Sequence, residues 1–212
     1  MMVSRSRVPL SLVVGRSART VSDAELARGL VAGETWAIDE TWRRFAPMVI
    51  GTAERALGSR SEAEDLAQEV FCRVFLRANT LRDAESLRSF VYSFAVRALK
   101  TQLRYRRVRA WLSFRKPEAL VELSSETLDV DSRDILRRVY ALLDRLSPRD
   151  RLVFVLRRAE AMTVEEIARV MNLSVSTVKR SMTHASNQLV RWMRADPELA
   201  ELLPKLERRE AE

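Results

Sequence analysis

The stretch MTVEEIARVMNLSVSTVKRSMTHASNQLVRW, Met162 to Trp192, reads as two short helices around a tight turn. Thr163-Val164-Glu165-Glu166 is a capping box: the Thr163 hydroxyl accepts from the Glu166 backbone N–H, and the Glu166 carboxylate reaches back to the backbone of Thr163. A helix is therefore predicted to start there, with Ile167, Ala168, Val170 and Met171 as its buried stripe. Asn172 tolerates the left-handed conformation that ends a helix and Ser174 is suited to cap the next, which leaves a turn of about three residues. In the second helix Val175, Val178, Met182, Ala185, Leu189 and Trp192 recur at steps of three and four and form the packed side. Ser176, Thr177, Lys179, Arg180, Thr183, His184 and Asn187 then point elsewhere. They donate to base edges and phosphates and include no carboxylate, as a helix entering a DNA major groove requires. An ordinary surface helix would mix both signs of charge.

The composition agrees with such a partner. With 47% apolar and 31% charged residues among 212, the chain is globular and large enough for one or two cores. Five glycines and six prolines are few enough to point to helix throughout. Lysine and arginine total 37 against 29 acidic residues, and the net charge of +8 favours a polyanion, nucleic acid before an anionic membrane surface. The single cysteine, Cys72, excludes an intrachain disulfide, agrees with a reducing cytoplasm and is read as a packing residue of an apolar helix. No run approaches the roughly eighteen apolar residues of a spanning helix, so no membrane insertion is expected. Val8 to Val14 is the nearest to a secretion signal, but it contains Pro9 and is followed by Arg16 and Arg19, so residues 1–21 are read as a disordered basic tail.

Residues 22–112 read as a first helical domain. Ser22-Asp23-Ala24-Glu25 and Ser61-Glu62-Ala63-Glu64 both have the form of capping boxes. The first opens a helix to about Ala32, stopped by Gly33; the next runs from about Glu34 to Leu57, with a bend expected at Pro47, and closes at Gly58. A third carries Leu66, Val70, Phe71, Val74 and Phe75 on one stripe. After a polar connection, Ser86 is placed to cap a long helix that buries Leu87, Phe90, Val91, Phe94, Ala95, Ala98 and Leu99.

The end of that helix changes character. Arg97, Lys100, Arg104, Arg106, Arg107, Arg109, Arg115 and Lys116 follow one another without an acid, interleaved with Tyr105, Trp111 and Phe114. Basic groups neutralise phosphate, and aromatic faces stack on unpaired bases at about 1–3 kcal/mol each. From Glu118 to Asp134, the acids Glu118, Glu122, Glu126, Asp129, Asp131 and Asp134 stand against Arg133 alone, a composition poorly suited to a core, and residues 113–134 are read as a flexible acidic linker. Residues 135–194 form the second domain: Leu136 to Leu146, then Ser147-Pro148 as cap and first helical residue of a helix to about Glu160, then the helix-turn-helix. Residues 195–212 are an extension in which Leu199, Leu202, Leu203 and Leu206 make an apolar strip for a partner or for the chain's own surface.

With both halves placed, the chain resembles the bacterial sigma factors of the extracytoplasmic-function group of the sigma-70 family, over roughly residues 23–194. The resemblance rests on Ala63-Glu64-Asp65-Leu66-Ala67-Gln68-Glu69-Val70-Phe71, on Phe90-Val91-Tyr92-Ser93-Phe94-Ala95, on Leu146-Ser147-Pro148-Arg149-Asp150-Arg151 and on Thr163 to Lys179. It implies an all-α fold of two small helical domains, binding to core RNA polymerase and to promoter DNA, and an anti-sigma factor as a further partner. By the same resemblance Asp65, Gln68 and Glu69 would dock on the polymerase. Leu81, Arg82, Arg97, Lys100, Arg104 and Arg107 would open and read the promoter -10 element, and Ser176, Thr177, Lys179, Arg180, Thr183 and His184 would face the -35 element. The chain departs from the family pattern at Arg97, where asparagine is frequent, at Arg180-Ser181, which reverses a common order, and at His184-Ala185-Ser186, which replaces a frequent Arg-Ala-Arg.

Other functions fit less well. One histidine, one cysteine, no glycine-rich phosphate loop and no metal-ligand spacing argue against an enzyme, a metal or a cofactor, and nothing points to a small-molecule substrate. A conventional helix-turn-helix regulator would use the same recognition helix but leaves the basic helix unexplained. A sigma-like decoy, binding polymerase or an anti-sigma factor without promoter activity, is the other alternative.

Overall fold

The computed structural model describes residues 21–81, 87–112 and 130–203, and every regular element in them is helical. Helix α1, Asp23–Val31, starts at Ser22 with both bonds of the expected capping box in place. Helix α2, Thr35–Leu57, runs through Pro47 as a single element, since Phe45, Ala46, Val49 and Ala53 are buried on both sides of the missing N–H and hold the turns together. Helix α3, Arg60–Leu76, begins ahead of the Ser61 signal: its cap is Ser59, whose hydroxyl accepts from the Glu62 N–H at 3.3 Å. The Glu62 carboxylate is drawn instead to α4, Leu87–Leu112, where Gln102 donates to it at 3.1 Å and Arg106 pairs with it. Ser86, the expected cap of α4, lies outside the described residues.

Alanines set the spacing of this first half. Ala37, Ala53, Ala56, Ala63, Ala67 and Ala95 are wholly buried and let α2, α3 and α4 approach closely around Val49, Val70, Phe71, Val74, Val91 and Leu99. The predicted α3 stripe is found, with Phe75 half-buried at its edge. Phe90 and Phe94 of α4 are also only half-buried. Cys72, in contrast, is exposed and not a packing residue: it lies on the outer side of α3, opposite the apolar stripe.

Helix α5, Val130–Arg145, starts before Leu136 and takes in residues that composition alone assigns to the linker. Asp131 and Asp134 stand in its first turns, where a negative charge is favoured by the helix dipole. Helices α6, Pro148–Arg158, α7, Val164–Met171, and α8, Val175–Arg194, complete the second half, with Ser147 capping α6 and Pro148 in its first position. Past Ala195 the chain turns back. Asp196 caps the short α9, Pro197–Ala200; Leu199 and Leu203 are buried and Leu202 half-buried against α5 and α8, and Arg138 pairs with Asp196 and Glu198. The apolar strip therefore covers the chain's own surface; Leu206 is outside the described residues.

The two halves are packed on each other. Leu152, Val153, Leu156, Ile167, Val170 and Val178 continue the core of α2 and α4, and Leu152 and Leu156 are completely buried. Truncating either to alanine is expected to cost about 2–5 kcal/mol. Polar contacts frame this seam. Glu160 accepts from Arg55 Nε at 2.7 Å and from the Tyr92 hydroxyl at 3.2 Å, and the Tyr140 hydroxyl donates to the Glu54 carbonyl at 3.2 Å. Gly58, the left-handed cap of α2 at φ +75°, leaves room for the Tyr140 ring: a Cβ there would sit 2.8 Å from Tyr140 Cδ1.

Candidate nucleic-acid interface

The helix-turn-helix forms as its caps dictate. The Glu166 N–H bonds the Thr163 hydroxyl at 3.2 Å and Glu166 Oε2 accepts from the Thr163 N–H at 2.8 Å. These bonds to Thr163 hold the Glu166 carboxyl below its ordinary range. Asn172 takes φ +52° and ψ +55°, and Ser174 accepts from the Thr177 N–H at 3.2 Å. Val178, Ala185 and Leu189 are buried as predicted; Val175 is exposed at the helix start, and Ser181 joins the buried side.

On the opposite side of α8, Ser176, Lys179, Arg180, Thr183, His184 and Asn187 are exposed and Thr177 is half-buried. They are not equivalent. Ser176 and Thr177 share hydroxyl bonds with the capping Ser174, and Thr183 donates its proton to the Lys179 carbonyl at 3.1 Å. The His184 ring is bound through Nδ1 to Asp150. Lys179 and Arg180 have no side-chain partner among the described residues, so theirs are the cations left free to contact a ligand. Sequence alone does not single out Asp150, which passes there for part of the α6 cap.

The second basic surface lies on α4. Arg97, Lys100, Arg104 and Arg107 follow at steps of three, four and three and so form one stripe. Arg97, Arg104 and Arg107 are exposed and Lys100 half-buried, and none has an ion pair among the described residues. Arg106 does not belong to the stripe: it is held inward by Glu62 and by the Leu57 carbonyl, 2.7 Å from Nη1. The aromatic component also differs from the expected one. Phe90 and Phe94 stack edge to face at 5.0 Å and Arg97 lies 5.8 Å over the Phe94 ring, making an aromatic ladder that leads into the stripe. Tyr105 is exposed but on another side of the helix, and Arg82, Phe114, Arg115 and Lys116, with the side chain of Trp111, are outside what is described. Leu81 is half-buried against the core.

Asp65, Gln68 and Glu69 are exposed together on α3, and Glu69 pairs with Arg73 one turn on. Leu76, 79% exposed at the end of α3, continues this face by its spacing, and Trp42 of α2 is 40% exposed with its ring 4.9 Å from Phe71 of the apolar stripe. The spacing of positions 65, 68, 69, 72 and 76 is visible in the sequence, whereas the packing of Trp42 on Phe71 is tertiary. Among the described residues no group of histidine, cysteine and acidic side chains has the arrangement of a metal site, and no helix is long and apolar enough to cross a membrane.

Residues 41–109 match the family profile of sigma-70 region 2, and residues 136–189 that of sigma-70 region 4. The RNA polymerase sigma-H factor of Pseudomonas aeruginosa is 24% identical over 172 residues, covering 77% of this chain and 89% of that protein. The ECF RNA polymerase sigma factor SigE of Mycolicibacterium smegmatis is 32% identical over 162 residues, 72% of this chain and 60% of that protein. Among solved structures, the sigma factor RpoE in its complex with the anti-sigma factor NepR from Bartonella quintana superposes with a TM-score of 0.56 at 19% identity, covering 74% of this chain and 97% of that one. With regions 2 and 4 matched in order, on the helices that carry the two basic surfaces, the chain belongs to the sigma-70 family of bacterial RNA polymerase sigma factors, in its extracytoplasmic-function group.

Proposed function

We propose that the chain works as an alternative sigma factor in the cytoplasm through three separate faces. The α3 face, with Asp65, Gln68 and Glu69 beside Leu76, docks on core RNA polymerase. The α4 stripe, with Leu81 and Arg82 ahead of it, engages the -10 element as it opens, and the outer side of α8 reads the -35 element. The observation that carries this division is charge sorting: Arg97, Arg104 and Arg107 of α4 and Lys179 and Arg180 of α8 are exposed without an ion pair among the described residues, whereas the α3 face presents carboxylate, amide and apolar groups. Unpaired cations suit phosphate and bases; the mixed face suits a protein.

The packed arrangement of the two halves adds a requirement. The -10 and -35 elements are about 25 base pairs apart, roughly 85 Å of duplex at about 3.4 Å per step. A folded chain of this length has a radius of gyration of roughly 17 Å. Reading both elements at once therefore demands that the seam between α4 and α6–α7 open, with the segment from Leu112 to Val130 as the tether. An anti-sigma factor, the partner in the Bartonella quintana complex, would act by holding the closed form.

The test is reconstitution of the full chain with core polymerase and sequencing of transcript 5′ ends from a genomic promoter library. The expected result is a set of starts preceded by one paired -10 and -35 motif. Tight polymerase binding without any such transcript would overturn the reading in favour of a decoy, and dimeric duplex binding without polymerase in favour of a conventional regulator.

A further inference from the structure

His184 stands on α8 one turn after Arg180, on the face assigned to the -35 element, and its side chain is 56% exposed. Its Nδ1 lies 3.2 Å from Oδ2 of Asp150, which comes from α6 and has a side chain only 5% exposed. The same oxygen accepts from the Ser147 hydroxyl at 2.7 Å. Burial alone would push the Asp150 carboxyl upward, but the hydroxyls of Ser147 and Ser181, the Arg149 guanidinium and His184 outweigh it and hold the group below its ordinary range. Asp150 is thus an ionised acceptor, fixed in the core of the second half and aimed at one nitrogen of an exposed ring.

That geometry determines what the other nitrogen does. A carboxylate at Nδ1 requires the proton there, so a neutral ring presents a bare lone pair at Nε2, and only the imidazolium presents an Nε2–H. A lone pair repels a phosphate or a guanine acceptor, whereas an N–H carrying positive charge binds either. Imidazole is the side chain whose charge changes between about pH 5 and 8. The charged groups around the ring are Asp150 and Arg149 from α6 and Arg180 from α8 itself; among the described residues α5, α7 and α9 give it no ion pair or hydrogen bond.

We propose that Asp150 is a positioning residue for -35 recognition: it holds His184 with Nδ1 inward and Nε2 toward the duplex, so that promoter affinity rises when the ring is protonated. The inference rests on the reading of α8 as the -35 helix. It concerns the place where the chain carries His184 instead of the family's frequent arginine, and it gives this chain a titratable contact where a permanent cation is usual.

The experiment measures promoter affinity of the reconstituted holoenzyme at pH 6 and pH 8, on a promoter taken from the library selection and on a copy with its -35 element scrambled. Wild type is expected to bind about three- to tenfold tighter at pH 6 relative to His184→Gln. His184→Arg should be tight and indifferent to pH, and Asp150→Asn should lose most of the wild-type advantage at pH 6, because an amide no longer fixes the ring with its Nδ1 proton inward. If Asp150→Asn melts too early to be assayed, the His184 pair still decides. Identical pH profiles for wild type and His184→Gln, both still sensitive to scrambling, would overturn this inference and leave the -35 assignment standing. Insensitivity of wild type to scrambling would overturn both.

Discussion

Arg55 and Glu160 are 105 positions apart and meet at 2.7 Å, one on α2 and the other in the turn after α6. The bond joins the half of the chain proposed to carry the polymerase and -10 faces to the half proposed to carry the -35 helix. Arg55 is about half exposed, so solvent screening leaves the ion pair itself a small contribution. The larger contributions to closure come from the apolar seam and from the fit of the Tyr140 ring over Gly58.

Gly58→Ala is the sharpest probe of that seam. The residue is left-handed, which costs a non-glycine residue about 1–2 kcal/mol, and the new methyl meets Tyr140. The variant is expected to melt earlier and to show a larger radius of gyration by small-angle scattering, with Glu160→Gln giving a smaller change in the same direction. A radius unchanged in both variants would show that these side chains do not hold the halves together.

Asp65→Ala combined with Gln68→Ala should weaken binding to core polymerase while leaving the melting temperature near wild type, since exposed substitutions of this kind stay within about 0.5 kcal/mol. Leu76→Ser should act alike by removing apolar surface from the docking face. Undiminished affinity in a titration with core enzyme would remove α3 from that role.

Charge reversal at Arg104 and Arg107 should reduce open-complex formation. For each single-strand phosphate that the variant no longer neutralises, the logarithmic salt slope should become shallower by about 0.7. Permanganate reactivity of the -10 thymines reads the melting directly, and equal reactivity in the variant would reduce the stripe to a solvated face.

Arg180 and Lys179 should separate by kind of effect. Arg180→Ala is expected to relax preference at one -35 base pair, by about 1–3 kcal/mol of discrimination, whereas Lys179→Ala lowers affinity for all sequences alike. Transcription from promoters varied singly across the element distinguishes the two, and an unchanged profile in Arg180→Ala would pass the base contact to Thr183 or His184.

The helix-turn-helix is legible in the sequence because its signals are local. A capping box, a left-handed asparagine and a capping serine each act within about four residues, and periodicity then settles which side of α8 is free. Where two local signals compete, only the tertiary fold decides between them. Ser59 and Ser61 each precede a glutamate by three positions, and Ser59 becomes the cap while Gln102 and Arg106 of α4 take the Glu62 carboxylate. Cys72 looks buried because its neighbours are apolar, although its place in the 65-68-69-72-76 series puts it outside. Periodicity tells which face of a helix is apolar and not what covers it, so neither the seam between the halves nor the return of Leu199 onto α8 can be read in advance. The same holds for Asp150: Ser147 accounts for it locally, and its partner His184 lies 34 positions away.

The lone thiol offers a way to watch assembly. Because Cys72 is the chain's only cysteine and projects from α3 between Gln68 and Leu76, a maleimide dye would attach at one defined point without any engineered residue. A fluorophore there would sit within the proposed polymerase-docking face, so its anisotropy or quenching would report holoenzyme formation from unmutated protein, and a bulky dye would hinder it.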